Sequence, residues 1–490
     1  MVGRTAFYAS DNERPEDWIA ALECFRRCRV WNCDMVLKAL RLAVVFVLLP
    51  LPLARGDDWP TYQHDYARSG VTAEKPSFPL AESWTHRARH KPQPAWPGPA
   101  REDPYNKVQN LRPRMTFDKV FHVVAAGEDL YFGSSADDQV YALDAATGKA
   151  RWSFFAEAPV RFAPTIAGER LCFGSDDGRV YCVAREDGKQ IWRRDPPEKD
   201  YRLPGNGRVI SLWAVRSSVV VDGDVVYFSS GLFPKEGVFV NAIDSADGSP
   251  VWRTASADRP AQGYLLASAT RLYVPTGREN PLVYERATGK ALQAVQGAGG
   301  TYALLTGDTL IFGPGKAGEL GVVEPGQSEQ LANFAGNHIL VAGGVFFLHA
   351  NDRLRALDQV RYVELARKRR DLTARKNVLT EELKKLGRRA ASAEGLKMST
   401  ELAAVGNELN KVNAEIPKCV KWDVSCPQAL ALVMTGDVLI AGGDGEVAAY
   451  SASDGKQIWS AGVDGAAYGL AVANGRLFVS TDVGAIQCFK

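Results

Sequence analysis

One phrase recurs along this chain. It reads Leu130-Tyr-Phe-Gly-Ser, then Val140-Tyr-Ala-Leu-Asp-Ala-Ala-Thr-Gly-Lys-Ala-Arg-Trp152. The next copy reads Leu171-Cys-Phe-Gly-Ser, then Val180-Tyr-Cys-Val-Ala-Arg-Glu-Asp-Gly-Lys-Gln-Ile-Trp192. Trp152 and Trp192 are 40 residues apart, as are Tyr141 and Tyr181. The apolar segments alternate at period two, as half-buried strands do. Asp-x-x-Thr-Gly-Lys is turn chemistry, because Asp accepts backbone N–H bonds and Gly takes positive φ without steric cost.

Further copies end at Trp252, at Leu292 in place of Trp, in a degenerate Gly321-Val-Val-Glu-Pro-Gly326, at Trp422 after a long insertion, and at Trp459; the last stops at Phe489 without its ending, which makes eight. A period of about 40 residues built from short strands predicts an all-β, eight-bladed β-propeller. An orphan ending, Leu80-Ala-Glu-Ser-Trp84, lies near the other terminus. It predicts that residues 80–88 supply the outer strand of the last blade, so that N- and C-terminal strands close the ring. Trp84, Trp152, Trp192, Trp252, Trp422 and Trp459 recur at one repeat position and read as wedges between blades.

A formal net charge of +2 gives no pull toward nucleic acid. Residues 35–56 read as a signal peptide: a basic start around Lys38 and Arg41, an apolar run over 42–53, and small Ala54 and Gly56 at the cleavage positions. Residues 1–34 read as an upstream extension. The chain is therefore expected in the periplasm or outside the cell, released or held at a membrane by an uncleaved N-terminal segment. Export places its cysteines in an oxidising compartment. Cys172 and Cys182 flank the Asp176-Asp-Gly178 turn and form either a cross-strand disulfide or two buried thiols; Cys419 and Cys426 bracket what reads as a turn.

Residues 57–118 form a lead-in whose aromatics are expected on the ring's rim. Blades one to six occupy 119–358 and the remainder 418–490. Between them, residues 359–417 break the β-pattern: Leu365, Leu372, Leu379 and Leu386 repeat every seven residues, and Leu402, Val405, Leu409, Val412 and Ile416 step by three and four. This predicts an antiparallel helical hairpin, a coiled coil, projecting between the third and fourth strands of blade six. Its basic run at Arg367-Lys-Arg-Arg370 is either a solvated face or a docking arm for an envelope protein or anionic surface.

Aligning the copies on their second strands places His122, Arg161, Arg216, Gln262, Tyr302, His338, Gln428 and Tyr468 near the starts of the innermost strands. Such side chains line a channel mouth. They either satisfy water and backbone there or hold a polar or anionic ligand. Nucleophile triads, metal-ligating His/Cys clusters and phosphate loops do not stand out.

The repeat Val-Tyr-Ala-Leu-Asp-Ala-Ala-Thr-Gly-Lys-x-x-Trp resembles that of pyrroloquinoline-quinone (PQQ) propellers, a group that includes quinoprotein alcohol dehydrogenases and BamB-type outer-membrane assembly proteins. The lead-in from Asp58-Trp-Pro-Thr-Tyr to Arg68-Ser-Gly70 also looks like that of exported members. The resemblance covers about 57–358 and 419–490. It implies the fold and leaves two functions open. One is a non-catalytic exported scaffold that binds a protein or ligand. The other is a PQQ- and calcium-dependent dehydrogenase, an oxidoreductase in which Arg161 or Arg216 would hold the quinone's carboxylates. The departures favour the first: no two cysteines are adjacent, Cys-x-x-Cys-His is missing, and the calcium ligands match no motif here.

Overall fold

A computed structural model describes residues 57–96 and 115–490, apart from short stretches at 197–199, 206, 257–258, 278, 293–294, 296–299, 301, 315–317 and 328–329. The extension and the leader expected at 1–56 lie outside the described residues.

Each repeat folds as its turn chemistry dictates. In the first, Val123–Ala126, Asp129–Gly133, Gln139–Asp144 and Ala150–Phe155 pair in chain order as an antiparallel sheet. The Asp144 carboxylate accepts from the N–H groups of Ala146 and Thr147 at 3.0 and 2.9 Å. Gly148 then turns at φ +68°, where an added Cβ would lie 2.5 Å from the Trp84 ring. The register slips just before Trp152, so that Arg151 is an extra residue. The same slip precedes Trp84, Trp192, Trp252, Trp422 and Trp459. A bulge twists the outer strand and re-aims the next side chain. Here it turns each indole toward a neighbouring repeat. Nε1 of Trp152 donates to Arg185 O (3.1 Å), that of Trp192 to Ser245 O (2.9 Å), and that of Trp252 to Arg286 O (3.1 Å). Trp422 reaches Ala452 O (3.0 Å), Trp459 reaches Leu80 O (2.9 Å), and Trp84 reaches Ala145 O (3.1 Å).

The strand pairing corrects the expected eight-bladed β-propeller closed by terminal strands. Among the described residues no sheet closes on itself, and they form several small antiparallel sheets and one helical hairpin. Nor are the last two repeats separate. Gln457–Ala473 is one 17-residue strand that ends the seventh repeat and opens the eighth. One open eight-stranded sheet results, with Val71–Thr72 on one edge and Glu82–Arg87 on the other. Glu82–Arg87 does pair with Ala485–Phe489, Trp84 standing opposite Cys488, but it extends an edge and seals no barrel. The physical reason lies at the join: Gly462 and Gly465 (φ +83°) let the chain bend and continue where other repeats stop. Among the described residues, the repeat that has Leu292 in place of Trp shows three strands and an isolated antiparallel bridge between Tyr284 and Ala291. Between the second and third repeats lies a separate hairpin, Arg202–Gly205 with Arg208–Ser211.

Packed side chains and the indole hydrogen bonds, not strand pairing, join neighbouring sheets. Tyr131 and Val140 pack with Phe173 and Tyr181; Val180 and Cys182 pack with Val221 and Phe228. Leu130 and Phe132 of the first repeat share a core with Phe478 and Ile486 of the last.

The lead-in does not sit on a rim. Trp59 is 1% exposed and pairs with Ala125. From there the segment crosses first strand after first strand: Pro60 O accepts from Ile166 N, Tyr66 O from Ala267 N, Ala67 O from Leu305 N, and Gly70 O from Met434 N. Its hub is Arg68, fully buried, which donates to Leu265 O, Thr61 Oγ1, Tyr62 O and Asp65 O at 2.7–3.2 Å. Burial pulls its guanidinium down to about 10, even with Asp65 nearby.

The helical hairpin, Gln359–Leu386 (α1) and Ala393–Glu415 (α2), is inserted between Arg353–Asp358 and Val420–Ser425. Asp358 and Ser392 cap the two helices. Arg361–Glu415, Lys368–Glu408 and Arg375–Glu401 pair across the arms, each at 2.5 Å. Arg367 and Arg370 turn back to Glu324 at 2.7 and 2.8 Å, so the basic run is largely engaged within the chain. Among the described residues no helix is long and apolar enough to cross a membrane.

The described cysteines are free, buried thiols. Cys172 and Cys182 stand directly opposite in register, and each is a free thiol. Cys419 and Cys426 do not face each other. They bracket the strand Val420–Ser425, not a turn, and about 3.3 Å of rise per residue separates them by some 20 Å. Each enters a different core.

Candidate functional site

The eight channel-mouth residues divide among three places. His122, Tyr302, His338 and Tyr468 line one cavity of about 320 Å³, together with Tyr62, Tyr264, Lys119 and Asn337. Arg216 and Gln262 line a second, of about 450 Å³. Arg161 and Gln428 line neither. Gln428, 4% exposed, donates to Glu446 Oε2 (2.7 Å) and accepts from Tyr450 Oη (2.7 Å).

Arg161 belongs to a buried ionic cluster. Its Nε donates to Asp176 Oδ2 at 2.6 Å and its Nη1 to Asp118 Oδ2 at 2.9 Å and Gln93 O at 2.8 Å. Arg216 donates from Nε and Nη2 to the two oxygens of Asp176 at 2.8 and 3.0 Å. Burial alone would neutralise these groups. Instead, Asp176 and Asp118 hold Arg161 above its ordinary value, and the two guanidiniums hold Asp176 below its own. Burial prevails at Asp118, whose carboxyl is raised against the pull of Arg161. Its Oδ1 is buried without a hydrogen-bond partner among the described residues.

The smaller cavity is built from the lead-in and the first strands. Tyr62 and Tyr264 stack at 3.6 Å with 11° between planes, and His122 meets Tyr62 edge-on at 4.9 Å. Tyr302 meets His338 edge-on at 5.3 Å. Burial pushes both imidazoles down to about 4, His349 adding to the effect at His338. The rings are therefore neutral at pH 7. Lys119 lies 4.6 Å over the Tyr468 ring and donates to its hydroxyl at 3.2 Å. Lys119 and Tyr468 also line an adjoining cleft of about 560 Å³ with Lys91 and Pro92.

Neutral buried histidines make the fold acid-labile. The unfolded chain takes up protons near pH 6.5, the folded rings only near 4, so stability falls as pH drops through that window, by about 3 kcal/mol per ring at pH 4. We expect His122→Gln to remove about 2–3 kcal/mol of the stability difference between about pH 7 and pH 4.5, read by urea unfolding. Equal acid sensitivity in both proteins would show that the ring is not held neutral.

Tyr62, Tyr264 and Lys119 were not among the sequence-predicted residues. The aromatic density of Trp59-Pro-Thr-Tyr62 marked the lead-in, but nothing in its pattern placed it inside.

Calcium asks for about six to eight oxygen donors, usually several of them carboxylates. The smaller cavity presents phenols, imidazoles, an amide and an ammonium, and no carboxylate. Glu279 in the larger cavity pairs with Arg259 at 3.2 Å. The unclaimed Asp118 Oδ1 stands beside Arg161. Among the described residues no group of three His, Cys, Asp or Glu could hold a metal. This donor set does not fit a calcium–quinone pair. The flat organic ring alone finds aromatic walls and a cation.

The family described as outer membrane protein assembly factor BamB matches residues 84–239 and 403–490. The serine/threonine-protein kinase AfsK of Streptomyces coelicolor is 38% identical over 218 residues, 42% of this chain and 23% of its own length. Quinohemoprotein alcohol dehydrogenase ADH IIB of Pseudomonas putida is 28% identical over 140 residues, 26% of this chain and 19% of its own length. The chain thus spans less than a quarter of either relative. The solved quinohemoprotein alcohol dehydrogenase of Comamonas testosteroni superposes with a TM-score of 0.55 at 12% identity, covering 88% of this chain and 80% of that one, a likeness of fold alone. These matches give the chain an affinity with the PQQ-repeat, BamB-like proteins.

Proposed function

We propose, for a chain of PQQ-repeat and BamB-like affinity, that it is an exported binding protein whose smaller cavity holds a flat, polar molecule carrying an anionic group. The cavity's lining carries the reading: tyrosines to flank a planar ring, two neutral imidazoles to exchange hydrogen bonds, and Lys119 as the cation at the open side. The leader-like segment at 35–56 and the BamB-like match support export. On the same reading the helical hairpin is an arm for an envelope partner. Val360, Val378 and Leu396 on it are 61, 47 and 59% exposed, and the arm lies outside the sheets.

A second reading, a quinoprotein dehydrogenase, draws on the comparisons, which include a dehydrogenase by sequence and another by fold. One experiment separates the two. PQQ itself is the probe, titrated calorimetrically into the purified chain with and without calcium. The first reading expects calcium-independent binding that Lys119→Met weakens about tenfold, the loss of about 1.4 kcal/mol from one charged contact. Calcium-dependent binding with alcohol-driven dye reduction would establish the dehydrogenase instead.

A further inference from the structure

The larger cavity lies apart from the site of the first reading. Its walls are apolar: Trp96 and Met115 on one side, Leu203 and Ile210 of the separate hairpin, and Phe233 from the loop after Ser230. Phe233 is 46% exposed, so the wall stays apolar out to the rim on its side. The floor has the opposite character. Arg216 and Gln262 are each 3% exposed and both line it.

What these two side chains have left to offer is mainly donors. Nε and Nη2 of Arg216 are taken by Asp176, which leaves Nη1 without a partner among the described residues. Gln262 Oε1 accepts from Trp96 Nε1 at 3.3 Å, which leaves its amide nitrogen with hydrogens to give. Thr276 Oγ1 is spent on Glu279 O at 2.8 Å. A guanidinium nitrogen and an amide nitrogen, both on largely buried side chains at the end of an apolar pocket, suit one ligand shape. Two acceptor oxygens sit at the head and a hydrocarbon body follows.

We propose that this cavity is a second binding site, for an amphiphilic monocarboxylate with an aliphatic or aryl-alkyl body. The carboxylate accepts from Arg216 Nη1 and Gln262 Nε2, and the body packs between Trp96, Met115, Leu203 and Phe233. The apolar walls set affinity through length, and the floor sets the preference for acid over alcohol. The site shares no lining residue with the smaller cavity, so the two are independently testable.

The test is calorimetric titration of the purified full chain with hexanoate, octanoate, decanoate and decanol. Affinity should rise about fourfold for each added methylene, and decanol should bind about tenfold or more weakly than decanoate. Leu203→Trp, which fills the cavity from its exposed hairpin, should abolish decanoate binding. Lys119→Met should leave it unchanged, and PQQ should not compete. Gln262→Leu should reduce the preference for acid over alcohol without disturbing the Arg216–Asp176 pairing. Absence of decanoate binding at millimolar concentration, or equal affinity for acid and alcohol, overturns the proposal. So does binding that survives Leu203→Trp but is lost in Lys119→Met.

Discussion

Replacing Asp176 with alanine lowers folding stability by about 3–5 kcal/mol, because it leaves two buried guanidinium groups without their common counter-ion. Asp176 is 0% exposed and accepts three of the cluster's hydrogen bonds. Arg161 keeps Asp118 and Gln93, whereas Arg216 keeps no side-chain partner among the described residues. Most of the cost therefore falls on Arg216. Asp118→Asn should cost less, because an amide oxygen can still accept from Arg161 and burial already works against the Asp118 charge. The quadruple change Arg161→Met, Asp176→Leu, Arg216→Met, Asp118→Asn should recover most of the loss, since it removes every charge of the cluster together and leaves no buried ion without its partner. The sign with pH is also set. Asp176 is held below its ordinary carboxylate value, so its contribution is present above that range and lost as pH falls through the lowered value. Urea unfolding of the three variants decides the matter. A loss under about 1 kcal/mol in Asp176→Ala would mean that water reaches the cluster and solvates the two arginines.

Trp192→Ala should cost a similar amount, about 3–5 kcal/mol, through a lost aromatic contact and the void it leaves. The ring is 7% exposed, rests against Gly248 and donates to Ser245 O at 2.9 Å. Trp192→Phe keeps most of the packing and loses one hydrogen bond, so it should cost about 1–2 kcal/mol. The neighbouring Ile191 provides an internal control. It is 45% exposed on the opposite side of the strand, and Ile191→Ala should change stability by less than about 1 kcal/mol. Equal losses at 191 and 192, measured by denaturant unfolding, would contradict the inward aim that the bulge gives the indole.

Strand and turn structure was legible because it is local. Asp144, Gly148 and Trp152 act within one hairpin and its bulge, and the same chemistry repeats wherever the phrase repeats. The helical hairpin was legible for the same reason: its leucine spacing and the change of period at residue 359 are visible without any partner. The grouping of the site was less legible. The polar residues near the starts of the inner strands were identified, but not that Arg161 and Arg216 would spend their charge on Asp176, nor that Gln428 would turn to Glu446 and Tyr450. Those pairings join residues from different strands and loops, and no spacing encodes them. The cysteines show the same divide. Cys172 and Cys182 oppose each other because one turn sets their register, whereas Cys419 and Cys426 part because the segment between them is a strand.

What the amino-acid order determined by itself was the repeating unit: strands alternating at period two, an Asp-Gly turn, and an indole carried at the end of each outer strand. What only the tertiary structure decided was how the units meet. There the seventh and eighth run together through Gln457–Ala473, and the lead-in passes inside across successive first strands to place Arg68 in the interior and Tyr62 on the wall of the smaller cavity. The physical reason is one of range. Turn and strand preferences act over a few residues and are written in sequence neighbours. The joining of sheets and the lining of cavities depend on burial and charge pairing between residues that are close only after the chain has folded.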